Sequence, residues 1–209
     1  MTATRGTEFD HGLLGMRCWL ELGNGDRIEL PVDRWTDGCE EGDAVLLGAC
    51  SGPALDIGCG PGRLTAALTR RGLPALGVDM SPTAVHLTRR RGANALRRNV
   101  FDRLPGEGRW RHVLLADGNI GIGGDPDTLL RRIARLLDPA GDLLVELEAP
   151  GHGLRRDRVR LHPPGVDGPW FTWAWVGVDA IAEVAARTGF RVAWTTNRGH
   201  RWFARLVLA

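Results

Sequence analysis

One stretch constrains this chain more than any other: Ala54-Leu55-Asp56-Ile57-Gly58-Cys59-Gly60-Pro61-Gly62-Arg63-Leu64. The apolar run Ala54–Ile57 reads as a strand. Three glycines at alternate positions follow it, and an amphipathic segment continues to Arg71. Strand, glycine turn and helix form the first half of a βαβ nucleotide-binding unit. Glycine lacks a Cβ, so such a turn is tight and its backbone approaches a ligand closely. The helix behind it presents unpaired N–H groups and the positive end of its dipole.

Two details narrow the ligand. A dinucleotide turn places its third glycine where Arg63 stands here. Asp56 closes the strand with a carboxylate, which repels a pyrophosphate and suits an ammonium. This Asp-x-Gly-x-Gly-x-Gly arrangement resembles motif I of the class I (Rossmann-like) S-adenosylmethionine-dependent methyltransferases. The resemblance implies S-adenosyl-L-methionine as cofactor. It sets the turn residues Gly58, Cys59, Gly60 and Gly62 against the amino-acid moiety and ribose, and has Asp56 help bind the amino group, often through water.

A second strand, Ala75–Val78, ends at Asp79, and Met80 follows. Ser81 is the N-cap of the next helix, with Pro82 at its first position. An acid about 20 residues beyond a glycine turn takes both ribose hydroxyls of an adenosyl group. Nicotinamide cofactors share that chemistry, so Asp79 carries weight only together with the glycine spacing. After a short third strand, Ala95–Arg98, comes Asn99-Val100-Phe101-Asp102. The resemblance assigns this loop to adenine. Asn99 or Asp102 meets the exocyclic amine, the Val100 backbone a ring nitrogen, and Phe101 the ring face.

Strand 4, His112–Ala116, runs into Asp117-Gly118-Asn119 at the sheet edge, where ligands of such folds bind. Asp125 caps a helix from Asp127 to Leu137, whose Arg131, Arg132 and Arg135 read as a solvated face. A turn, Asp138–Gly141, precedes strand 5, Gly141–Glu148. Arg155–Leu161 reads as strand or loop, and its arginines as a solvated edge or an anion clamp. His162–Gly165 breaks the pattern. The strand Pro169–Val176 alternates aromatics, read as core and sheet face ahead of a substrate wall. A helix, Val178–Thr188, and a hairpin, Arg191–Leu208, close the chain.

Upstream, Cys18–Leu22 and Arg27–Val32 flank Asn24-Gly25, a hairpin signal. Residues 1–12 read as poorly ordered or adaptable, Trp35 and Cys39 as loop, and Glu41–Cys50 as a short helix. The chain then reads as one domain over 1–209. An N-terminal extension spans 1–50, with the hairpin at 18–32. A cofactor-binding half spans 51–148, and a substrate-side half with the C-terminal hairpin spans 149–209. The expected class is α/β, doubly wound. It has a mostly parallel seven-stranded sheet with an antiparallel C-terminal strand, as the resemblance implies.

Composition sets limits. The 209 residues suit one sizeable core, and a net charge of +2 demands no nucleic-acid partner. Every basic side chain is Arg, and Lys, Tyr and Gln are absent, so a general base is His, Asp, Glu or Cys. Cys18, Cys39, Cys50 and Cys59 show no metal-ligand spacing; they fit reduced thiols in a cytoplasm. Met1–Asp10 lacks a signal-peptide core, and no run reaches transmembrane length. The expectation is a cytoplasmic protein, off the membrane and without a metal.

Candidate catalytic residues are His152, just past strand 5, with Asp117 and Asn119; each also reads blandly as a loop or capping residue. His11, His162 and His200 rank below them, and Cys59 reads as a buried filler. The Asn/Asp-Pro-Pro-aromatic motif of base-amine methyltransferases is absent after strand 4, which weighs against an adenine or glutamine amine acceptor. The reading that results is methyl transfer to a small-molecule acceptor. An RNA or protein methyltransferase and a non-catalytic module binding S-adenosylmethionine or S-adenosylhomocysteine stay open; a nicotinamide enzyme stands further off.

Overall fold

A computed structural model describes residues 6–162 and 168–209. The first five residues lie outside them, as does the expected break His162–Gly165 apart from His162, which is strand. The helices are α1 (Asp10–Leu13), α2 (Val32–Thr36), α3 (Asp43–Ala49), α4 (Arg63–Arg70), α5 (Pro82–Arg90), α6 (Pro126–Leu136) and α7 (Ile181–Arg187). The strands are β1 (Trp19–Leu22), β2 (Arg27–Glu29), β3 (Ala54–Ile57), β4 (Ala75–Asp79), β5 (Ala95–Arg97), β6 (Trp110–Leu115), β7 (Leu137–Leu147), β8 (Leu154–His162), β9 (Phe171–Val176), β10 (Phe190–Arg198) and β11 (Arg201–Leu208). A short 3-10 segment, Asn119–Gly124, follows β6.

The main sheet has seven strands in the order β10-β11-β7-β6-β3-β4-β5. Strands β3 to β7 pair in parallel, and β11 runs antiparallel between β7 and β10. Alternation along the strands sorts side chains to two faces. Val113 and Leu115 of β6 join Leu143 and Val145 of β7 under α6 and α7. Leu114 and Leu144 face the other way, onto Leu46 of α3 and Leu64 and Leu68 of α4. Each such leucine, fully buried, contributes about 1.5–3 kcal/mol. The doubly wound class expected from the sequence is the fold observed.

A second, antiparallel sheet has the order β2-β1-β8-β9. The N-terminal hairpin therefore does not stand alone. Trp19–Leu22 pairs across His162–Val159, and Val159 in turn pairs with Phe171. This settles Arg155–Leu161 as a strand. Leu20, Leu22, Val159 and Leu161 form a small core of their own.

Several local expectations are corrected. Trp35 lies in α2, because Thr36 and Asp37 close a helical turn back onto Val32 and Asp33. The Asp138–Gly141 turn lies inside β7, whose pairing with β6 skips register between Trp110 and His112. Residues 6–12 are pinned: α1 begins at Asp10, whose carboxylate accepts from Ser81 Oγ at 2.5 Å and Thr83 Oγ1 at 2.8 Å. Asp125 holds the N-cap position of α6 without a side-chain bond to its amides; it accepts from Thr128 Oγ1 instead. Arg132 is not on a solvated face. It donates to the carbonyls of Val100 and Asp102 and pairs with Glu107, fastening the loop after β5 to α6.

Candidate active site

The glycine turn leaves β3 at the carboxyl edge of the sheet. Gly58, Gly60 and Gly62 all have positive φ. A Cβ on Gly58 would stand 2.6 Å from Asn119 Nδ2, and one on Gly62 would meet Thr88 at 2.5 Å. The turn thus requires glycine twice over, by conformation and by contact. Its amides are spent internally. Gly58 and Cys59 donate to Val78 O, Gly62 to Cys59 O, and Gly60 to Asp79 Oδ2 at 3.0 Å. A turn with those N–H groups satisfied is no cradle for a pyrophosphate.

Asp79 ends β4 beside it. Besides the Gly60 amide, its carboxylate accepts the Ser81 amide at 2.9 Å, and burial raises its pKa. Ser81 caps α5 by accepting from Ala84 N. Beyond Asp79, Asn99 Oδ1 accepts from Phe101 N at 3.0 Å, which folds the loop so that Phe101 stands 38% exposed on the cleft wall. An aromatic left open to a cleft is a surface awaiting a flat partner.

On the other flank a charged network closes the cleft floor. Arg63, the first residue of α4, donates to Asp43 at 2.9 and 2.8 Å and to Asp117 at 2.6 and 3.2 Å. Arg201 of β11 donates to Glu146 at 2.8 Å and to Asp43 at 2.9 Å. Arg34 of α2 approaches Asp117 and Glu146, each at 3.7 Å. Burial disfavours charge on Arg63 and Arg201, but the surrounding carboxylates outweigh it and hold both guanidiniums charged. Burial also pushes Asp43 upward; Arg63, the Glu40 amide and Arg201 reverse that and leave it below its usual value. Asp117 goes the other way: burial and then Glu146 raise it against the pull of Arg63. Among the described residues Asp117 is the one non-glycine with positive φ, at 52°. Such left-handed backbone is uncommon outside glycine and concentrates at functional sites.

Asp79, Phe101, Arg34, Arg63, Asp117, Glu146 and Arg201 line one cavity of about 880 Å³ together with an aromatic wall, and Asp43 lies buried behind it. Phe171, Trp173 and Trp175 on one face of β9 join Phe9 and Trp35 there. Phe9 packs edge-on against Trp35 at 6.2 Å and Phe171 at 5.9 Å. The strand sits directly on the 3-10 segment, since a Cβ on Gly121 would strike the Trp173 ring and the Ala174 carbonyl. The β9 aromatics, read from sequence as core and sheet face ahead of a substrate wall, are both: they pack half-buried against the small sheet's core and line the cleft, while Ala174 and Val176 of the opposite face are fully buried. The reason lies in the small sheet, which β1 and β2 complete and which turns one face of β9 toward the cleft.

The sequence candidates fall into three groups. Gly58, Cys59, Gly60, Asp79, Met80, Asn99, Val100, Phe101, Asp117 and Asn119 all line the cavity. Asn119 is committed to structure there, with Nδ2 donating to Ile57 O and Gly58 O at 3.0 and 2.9 Å. Asp56 and Gly62 lie beneath the wall. Asp56 is 3% exposed and accepts from Thr65 Oγ1 at 2.6 Å, which fixes the first turn of α4. Burial pushes Asp56 up to about 6. His152 is exposed and does not line the cavity. Cys59 is buried and its thiol is held well above the usual value by burial, so it is no nucleophile. Sequence reasoning passed over Arg34, Asp43, Glu146 and Arg201, which no motif marks; the arginine at position 63 was the visible trace of the network. Among the described residues no cluster of His, Cys, Asp and Glu is arranged to hold a metal, and no helix is long and apolar enough to cross a membrane.

Residues 54–141 match the family described as "Methyltransferase domain". The fold is that of an S-adenosylmethionine-dependent methyltransferase from Bacteroides fragilis, solved with S-adenosyl-L-homocysteine. The TM-score is 0.78 and the identity 23%, over 98% of this chain and 94% of that one. The 1,6-didemethyltoxoflavin-N1-methyltransferase of Burkholderia thailandensis is similar with TM-score 0.65 and 22% identity, over 85% and 81%. The glycopeptide N-methyltransferase MtfA, solved with S-adenosyl-L-methionine, gives 0.59 and 17%, over 80% and 91%.

Proposed function

From a methyltransferase domain set in a class I methyltransferase fold, we propose that this chain is an S-adenosylmethionine-dependent methyltransferase acting on a small molecule. One observation carries the reading. A single cavity joins the glycine turn, the Asp79 carboxylate and exposed Phe101 to an aromatic chamber beyond Asp117. Its volume lies toward the upper end of ordinary ligand pockets, so it suits a nucleoside and a second small molecule together.

The residues present fit the cofactor. Phe101 and the Asn99–Val100 loop are set to hold adenine, Asp79 the ribose hydroxyls, and Gly58 and Gly60 the amino-acid end near Asp117. S-adenosylmethionine supplies a methyl group already activated on a sulfonium. What remains for the protein is to orient an acceptor in line with that group and to keep water out. Phe9, Trp35 and the β9 aromatics wall off the chamber and supply an apolar surface to position it.

The bound small-molecule methyltransferase from Burkholderia thailandensis supports a small acceptor by likeness of fold. The alternative of an RNA or protein substrate calls for a continuous basic face. Here Arg34, Arg63 and Arg201 are engaged by carboxylates inside the cleft.

Calorimetric titration with S-adenosylmethionine and, separately, NAD tests the cofactor assignment: binding of the first alone is expected. Production of S-adenosylhomocysteine with a small acceptor distinguishes an enzyme from a binding module. Retention on RNA that weakens steeply with salt would favour the nucleic-acid alternative.

A further inference from the structure

Glu148 stands one residue past the end of β7, on the side of the cleft away from the adenine loop. Its backbone is fixed: its amide donates to Val176 O at 2.9 Å and its carbonyl accepts from Val178 N at 3.0 Å. The side chain is half-buried and lines the cavity. Other cleft carboxylates have donors. Glu146 is held by Arg201, Asp117 by Arg63, Glu29 by Arg17, and Asp79 by two backbone amides. The Glu148 carboxylate meets no donor among the described residues. A partly desolvated carboxylate without a partner is costly unless a cation comes to it.

Its surroundings select the cation. The bridge from Glu148 to Gly177 lays it alongside the end of β9, which carries Trp173 into the same cavity; the Trp175 ring already holds the Arg155 guanidinium 4.3 Å from its centroid. Indole rings attract ammonium groups through their quadrupole, and more strongly where water is scarce. Aromatic rings and one unpaired carboxylate together form a receptor for an amine.

We propose that the methyl acceptor is an amine with an apolar or aromatic body, its ammonium docked on the Glu148 carboxylate beside Trp173. This deepens the reading of the cleft as a methyltransferase site and rests on it. An alkyl ammonium is protonated at neutral pH, as a lysine side chain is. It has no lone pair to attack with until a proton leaves. That proton passes to water: the N–H bond breaks, its electron pair stays on nitrogen, and the Glu148 carboxylate holds and orients the amine. An alcohol brings no charge to the same place and gains nothing from it.

The probes are 2-phenylethylamine and 2-phenylethanol, titrated calorimetrically into the full chain with and without S-adenosylhomocysteine. The wild type should bind the amine about tenfold more tightly than the alcohol. Glu148→Gln should abolish that preference, Glu148→Asp should keep it, and both should bind S-adenosylhomocysteine as the wild type does. Equal affinity for the two probes, no binding of the amine, or a preference that survives in Glu148→Gln would overturn the proposal. Failure of S-adenosylhomocysteine to bind the wild type would sink the methyltransferase reading instead. The amine-over-alcohol preference measured without it still decides the role of Glu148.

Discussion

Arg63 Nη1 lies 2.6 Å from Asp117 Oδ2, joining the first residue of the helix after the glycine turn to the tip of β6. The contact explains why an arginine occupies the place of a dinucleotide fold's third glycine. It draws Asp117 toward the floor of the cleft and shares Asp43 with Arg201.

Replacing Arg63 by Met should cost about 3 kcal/mol of stability, read as a lower urea midpoint. The loss comes from Asp43, which is 0% exposed and would keep only Arg201 and the Glu40 amide. Arg63→Lys should recover only part, because an ammonium cannot span both carboxylates as the guanidinium does. A double variant, Arg63→Met with Asp43→Leu, should be less damaged than Arg63→Met alone.

Asp79→Ala should weaken S-adenosylmethionine binding by about 2 kcal/mol, near thirtyfold, by removing an acceptor for both ribose hydroxyls. Because Asp79 also accepts the Gly60 and Ser81 amides, Asp79→Asn should retain more of the turn and more of the affinity. Calorimetry on both variants checks this; unchanged affinity in Asp79→Ala refutes the ribose role.

Gly58→Ala should cut cofactor affinity at least about tenfold and lower stability by about 1–3 kcal/mol. The added carbon meets the Asn119 amide, and φ of 69° disfavours any side chain. The amide would have to leave the Ile57 and Gly58 carbonyls it now bonds. A cofactor titration beside a thermal melt separates the two effects.

Asp56 predicts a pH effect. Its carboxyl, at about 6 in the fold, ionises near 3.8 in the unfolded chain. Between those values the folded form holds a proton that the unfolded form has lost. Stability from this group therefore falls as pH rises from about 4 to about 6, and levels off above. Asp56→Asn keeps an oxygen for Thr65 and removes the ionisation. The melting temperature of Asp56→Asn relative to wild type should rise between pH 4.5 and pH 7.5, taken as roughly bracketing the window. A constant difference across that range would show that Asp56 is not buried in this way.

Much of the fold was legible because its signals are local. Ala54–Ile57 is a strand as read, Ser81 caps α5 as read, and Asn24-Gly25 joins β1 and β2. Other readings failed where distant chain decided the matter. Arg132 looked solvated until the loop after β5 folded onto it, while the aromatics of β9 pack against the small sheet's core as read and line the cleft as well. His152 looked close to the chemistry by sequence order, yet it is exposed and does not line the cavity. Glu148, four residues earlier, went unremarked.

What the amino-acid order alone determined is the strand, glycine turn and helix from Ala54 to Arg71 and the acid that ends β4, while the full doubly wound sheet was implied by the resemblance. Each rests on periodicity, on the missing Cβ of glycine or on capping, all of which act over a few residues. Only the tertiary structure decided which charges meet. Asp43, Arg63, Asp117, Glu146 and Arg201 come from five separate elements or their ends. Electrostatic partners are chosen by proximity in space, and proximity follows from how sheet and helices pack, which no short window of sequence contains.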